Sequence, residues 1–186
     1  MPLLILAGAS ILLLVVIAVR RNHRLVYALA ALALAAAFAA SLAPSGLEPR
    51  IIGPLLVIDG FSLFYSALLN AAGLVAVLLS YAYLRPLREQ MEEYYVLIVL
   101  AVLGAAILAS ARHFASLFLG LELLSVSLYT LIGYLVKSRD RSIEAGIKYL
   151  ILAAASAGFL ILGMALVYYE TGQLEFSGIG DYFTKA

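Results

Sequence analysis

Six long apolar stretches run along this chain, separated by short polar or proline-containing breaks. The pattern predicts an all-α fold, a polytopic transmembrane helical bundle forming a single domain over 1–186. Its spans fall at about 3–19, 25–42, 59–84, 94–111, 113–136 and 143–169. At about 1.5 Å of helical rise per residue, even the shortest crosses most of a hydrocarbon core roughly 30 Å thick.

The breaks carry their own information. Arg20, Arg21, Asn22, His23 and Arg24 follow the first apolar stretch. A signal peptide carries its positive charge before the apolar core, so this stretch reads as a retained anchor. Pro44, Pro49 and Pro54 exclude regular helix between the second and third spans. Arg85 to Glu93, RPLREQMEE, reads as a charged loop, and Lys137 to Ser142, KSRDRS, as a polar turn. Asp59 suits the N-terminus of the third span and Ser142 the N-cap of the sixth. From Glu170 the chain turns polar and glycine-rich.

Six spans place both termini on one side. The loops after spans 1, 3 and 5 hold Arg20, Arg21, Arg24, Arg85, Arg88, Lys137, Arg139 and Arg141, whereas the opposite side holds Arg50, Arg112 and Lys185. That excess assigns the odd loops to the cytoplasm and the N-terminus to the outer side.

Composition narrows the function classes. With 65% hydrophobic and 12% charged residues and a mean hydropathy of +1.07, the partner solvent is a lipid bilayer and no soluble enzyme domain is present. A net charge of +1 gives no reason to expect a nucleic-acid partner. Zero cysteines exclude disulfides, thiolate metal sites and a cysteine-ligated iron–sulfur cluster. With only His23 and His113 as histidines, no metal or haem site is expected on this chain.

Glu122 lies in the middle of the fifth span, and between Arg112 and Lys137 nothing else is charged. An acid at that depth costs about 2.5–3.5 kcal/mol on insertion scales, so it should face protein or water, with the other spans as its walls. Ser125, Tyr129 and Gly133 follow at i+3, i+7 and i+11 and share its helical face, making a small, partly polar stripe. A carboxyl in such a stripe suits proton loading and release. The alternative is a neutral acid that hydrogen-bonds a neighbouring helix. Lys148 lies only about 9 Å into the sixth span and reads equally as a side chain that snorkels to the interface. Its depth differs from that of Glu122 by something like 12 Å, which argues against a direct ion pair. His113 opens the fifth span as a polar anchor, or as a proton relay at a channel mouth. Gly146, Ala153 to Ala155, Ser156, Ala157 and Gly158 form a small-residue run suited to close helix packing. On a pure packing reading, a bulky residue at Gly158 breaks assembly.

Three stretches carry a resemblance: IDGFSLFY (Ile58 to Tyr65), ARHFASLFLGLELLSVSLY (Ala111 to Tyr129) and SIEAGIKYLILAAASAGFLILGMALVYYETGQLEF (Ser142 to Phe176). They resemble the antiporter-like N subunits of bacterial NADH:quinone oxidoreductase, respiratory complex I. The RRNH after the first span fits the same family. The resemblance implies that Glu122 and Lys148 take part in proton translocation, with Ser125, Tyr129 and His113 as possible pathway-lining residues. It also implies a multi-pass protein of the bacterial inner membrane with a periplasmic N-terminus, partnered by other membrane subunits, neighbouring antiporter-like ones included. NADH, FMN, iron–sulfur clusters and quinone would be bound by partner subunits, with no redox catalysis on this chain.

The same superfamily includes subunits of multisubunit sodium/proton antiporters and membrane-bound hydrogenases, which are the alternative transport readings. A non-pumping structural or assembly fragment is the alternative outside transport. Family members have more than twice as many helices, with a lysine in a broken helix 7 partnering the helix 5 glutamate and further lysines in helices 8 and 12. The chain is therefore expected to be the N-terminal portion of a longer protein, holding half of a charge pair.

Overall fold

The computed structural model describes residues 2–42, 49–84, 91–134 and 141–185. Six helices are long and apolar enough to cross a membrane: α1 (Pro2–Val19), α2 (His23–Leu42), α3 (Gly60–Leu84), α4 (Glu92–Ala109), α5 (Phe114–Gly133) and α6 (Ser142–Thr171). The six predicted spans are all present, with ends shifted by a few residues. Arg85, Arg88, Lys137, Arg139 and the end of the fifth predicted span at 135–136 lie outside the described residues, as does Pro44.

Two elements depart from the sequence reading. Between α2 and α3 the proline-rich stretch contains a hairpin, β1 (Arg50–Ile52) paired antiparallel with β2 (Leu56–Ile58). Its turn uses Gly53 at φ 59, a left-handed conformation that L side chains resist. Beyond α6, where a polar tail was expected, α7 (Phe176–Lys185) forms a short helix. Gly172, at φ 65, ends α6 and donates its N–H to Tyr168 O at 2.8 Å.

α4 is the axis of the bundle, packed by α1, α2, α3 and α5. The core follows helical spacing: Val26, Ala30, Leu34 and Ala37 from α2 meet Tyr95, Val99, Val102 and Ala106 from α4. Buried hydroxyls are satisfied within their own helices. Ser10, Ser41, Ser110 and Ser127 each donate to the carbonyl four residues back, so they cost little in an apolar interior. α6 is peripheral, packed on α5, and among its residues Ser142, Gly146, Ala157 and Thr171 are buried.

Helix starts are set locally. Asp59 caps α3 as expected: its Oδ1 accepts from Ser62 N at 2.8 Å, while Ser62 Oγ accepts from Asp59 N at 2.9 Å. Ser142 departs from expectation, being the first helical residue with Arg141 at the cap position. Glu92 and Glu93, read as loop, form the first turn of α4, where acids suit the helix dipole.

Candidate functional site

α5 carries the candidate acid, and its orientation follows from two glycines. A Cβ on Gly104 of α4 would stand 2.6 Å from the amide nitrogen of Leu124, and one on Gly120 would stand 2.9 Å from that of Leu108. α4 and α5 thus touch backbone to backbone along the Gly120–Leu124 face. Glu122 sits two residues from each, about 200° around the helix, and so points away from that seam. It is half-buried, and no hydrogen bond or ion pair reaches its carboxyl among the described residues. The described helices supply only part of the enclosure expected around it.

Ser125, Tyr129 and Gly133 do share the face of Glu122, all half-buried. Farther along that face α6 comes close: a Cβ on Gly146 would lie 3.3 Å from Tyr129 O and 3.4 Å from Gly133 Cα. An open cleft of about 460 Å³ separates the two helices here, bordered by Tyr129, Thr130, Gly133, Ile147 and Leu150. Small residues are needed at Gly146, whereas Gly158, the position singled out by the packing reading, meets nothing within 4 Å. Among the described residues, the run of small residues in α6 packs on its Gly146–Ala157 side.

Lys148 is not brought to Glu122. It lies two residues beyond Gly146 and so on the far side of α6, with its side chain 70% exposed and Nζ 2.5 Å from Glu144 Oε1. The Gly146–Gly133 contact sets the antiparallel register, which leaves roughly 14 Å along the axis between Lys148 and Glu122. Both charges face outward from the described bundle at different depths.

His113 is the N-cap of α5. Its Nδ1 accepts from Ala115 N at 3.0 Å, and its carbonyl accepts from Ser116 Oγ at 2.8 Å. It belongs to a seam that the sequence did not announce. Val57 N donates to Ser110 O at 2.9 Å, and Arg112 N to Leu55 O at 3.1 Å, pairing β2 with the α4–α5 connector. On the other side, Phe114 N donates to Leu174 O and Phe176 N to Arg112 O, both at 2.9 Å. The Arg112 guanidinium also pairs with the Glu175 carboxylate.

The Ser177 hydroxyl, 2.7 Å from Glu175 Oε1, holds the Glu175 carboxyl below its usual range, and Arg112 adds to the effect. A depressed carboxyl stabilises the fold above its unfolded pKa and loses that contribution as pH falls through its folded value. Acidification below the ordinary carboxylate range is therefore expected to loosen the seam. Hydrogen exchange at the Phe114 and Phe176 amides checks this, because Glu175→Gln should abolish the acid-dependent acceleration.

With this geometry in place, comparisons give it a context. Residues 111–186 match the family described as NADH:quinone oxidoreductase/Mrp antiporter, TM. The chain is 44% identical over 185 residues to NADH-quinone oxidoreductase subunit N of Ectopseudomonas mendocina (strain ymp), covering 97% of this chain and 37% of that protein. Its fold overlays a chain of respiratory complex I from Thermus thermophilus with bound aureothin at a TM-score of 0.81 and 35% identity, covering 94% of this chain and 38% of that one. A chain of an archaeal respiratory membrane complex, the membrane-bound sulfane sulfur reductase, matches in fold at a TM-score of 0.79 with 21% identity, over 96% of this chain and 38% of that one.

The bundle is thus that of an antiporter-like membrane subunit. Over the length it spans, the chain is similar to the N subunits of NADH:quinone oxidoreductase. It spans little more than a third of the length of those relatives.

Proposed function

We propose that this chain works as part of a proton-translocating membrane subunit of NADH:quinone oxidoreductase, with Glu122 as the group that carries the proton. The observation that supports this most directly is an acid at mid-span, half-buried and turned away from the α4 seam toward the face that borders the α5–α6 cleft. The 44% identity to a subunit N across 97% of the chain supports the choice of complex. On this reading its partners are other membrane subunits in the bacterial inner membrane, its N-terminus is periplasmic, and NADH, FMN, iron–sulfur clusters and quinone reside on partner subunits. The chain, with zero cysteines, brings no thiolate to such a cluster.

Lys148 joins the same pathway as a second proton-carrying group at a shallower depth. Lys148→Arg keeps a cation opposite Glu144 yet removes a group able to release its proton. It is expected to lower pumping severalfold while leaving assembly and thermal melting unchanged. Wild-type pumping in that variant would reduce Lys148 to a surface ion pair.

The family description also names Mrp antiporters, which favours a sodium/proton antiporter as the second reading. Gentle solubilisation of the tagged native protein, with mass spectrometry of everything that elutes, separates the two. Co-purification of an NADH-oxidising arm supports the oxidoreductase. A particle without redox subunits, showing sodium-dependent pH changes, overturns it.

A further inference from the structure

A second buried acid stands at the end of the bundle opposite the hairpin. Glu92 is 6% exposed, and its Oε2 receives no hydrogen bond among the described residues. Its place at the start of α4 does not account for this, since the capping residue Met91 makes no side-chain cap bond and no helix amide reaches that oxygen. The adjacent Glu93 is the acid that is partnered, by Arg21 at 2.9 Å and by the Tyr134 hydroxyl at 3.1 Å. A buried carboxyl oxygen that receives no hydrogen bond calls for an explanation.

Two side chains lead from its neighbourhood toward water. One turn along α4, where Cβ atoms lie about 5–6 Å apart, is Tyr95, fully buried. Its hydroxyl lies 3.3 Å from Nε2 of His23, the half-buried first residue of α2. The imidazole stacks on Tyr81 at 5.3 Å, and Tyr27 packs on Tyr81 at 4.4 Å, which fixes the ring against the phenol. A phenol both donates and accepts, and an imidazole offers two nitrogens, so the pair can pass a proton without leaving its place.

From this geometry we infer that Glu92, Tyr95 and His23 form a proton-exchange site between the bundle interior and the water at this end. His23 gives a proton to the Tyr95 oxygen as Tyr95 passes its own to Glu92 once the carboxyl turns to it, since no hydrogen bond joins those two in this conformation, and His23 is reloaded from water. Only O–H and N–H bonds form and break, and the Glu92 carboxylate ends as the neutral acid. Among the described residues, the titratable groups facing the site are Tyr27 from α2, Tyr81 from α3, Glu93 and Tyr94 from α4, Tyr134 from α5 and Arg21 from the α1–α2 turn. The role of the site in transport rests on the proton-translocating reading above, and the charge count that puts this end in the cytoplasm makes it the uptake side.

Infrared difference spectroscopy on the full-length protein in its membrane assembly tests the inference, with the medium stepped between about pH 5 and 8. A carboxyl C=O band that changes with pH, vanishes in Glu92→Gln and persists in Glu122→Gln is the expected result. Tyr95→Phe keeps the ring and removes the relay oxygen, so proton exchange after a pH jump should slow roughly tenfold or more. A band that survives Glu92→Gln, the absence of any such band, or an unchanged exchange rate in Tyr95→Phe overturns the site. Should Glu92→Gln fail to assemble, the Tyr95→Phe rate decides. A band that behaves as expected in a protein that moves no protons supports the site and removes the transport reading instead.

Discussion

Glu122→Gln is expected to cut proton translocation roughly tenfold or more while leaving the assembled complex at wild-type abundance. The amide matches the carboxyl in size, so the half-buried pocket on α5 is filled as before. No hydrogen bond or ion pair is lost among the described residues, because the carboxyl makes none there. What disappears is the ability to bind and release a proton. Glu122→Asp keeps that ability but draws the carboxyl back by one methylene, and should retain an intermediate rate. Acidification of inverted vesicles during NADH oxidation, read beside the amount of assembled complex, is the measurement. Unchanged pumping with normal assembly would mean that Glu122 is a helix-packing acid.

The second large effect concerns folding. Gly120→Val should destabilise the bundle by about 3 kcal/mol, near the upper end of ordinary overpacking costs. The added Cβ would lie 2.9 Å from the Leu108 amide nitrogen and 3.0 Å from Gly104 O. Both are backbone atoms, which cannot rotate aside, so α4 and α5 must separate, and with them the axis of the core. A lower melting temperature and reduced yield are the readouts. Glu122 is moved by the same separation, so activity should fall with stability rather than independently of it. Wild-type melting of the variant would show that the α4–α5 seam is looser than the glycine geometry requires.

The spans were legible because each is a continuous apolar run bounded by Arg, Pro or Gly, and depth placed Glu122 without further help. The hairpin was not, since β1 and β2 are three residues each, none of them buried, and three prolines dominate the stretch. α7 was hidden by Gly178 and Gly180, which weaken helix propensity in a ten-residue element. The small-residue run of α6 announced close packing but not its direction. Composition cannot say which side of a helix meets a neighbour, and Gly158 turns outward while Gly146 turns in. Glu92 was lost in a run of charges that looked like loop, although its burial makes it unlike its neighbours.

The seam at the hairpin end has a mechanical consequence. β2, the α4–α5 connector and the α6–α7 connector are hydrogen-bonded side by side, so the start of α5 and the end of α6 are clamped at one point. Toward the far end the two helices touch at Gly146 and are parted by an open cleft. A tilt of one helix against the other would therefore turn about that clamp. Glu122 lies roughly 14 Å from His113 along α5 and Gly133 roughly 30 Å. On a tilt about the clamp, the tip at Gly133 moves about twice as far as Glu122. The clamp thus sets how far each level of the α5–α6 interface can open, least beside His113 and most beside the cleft.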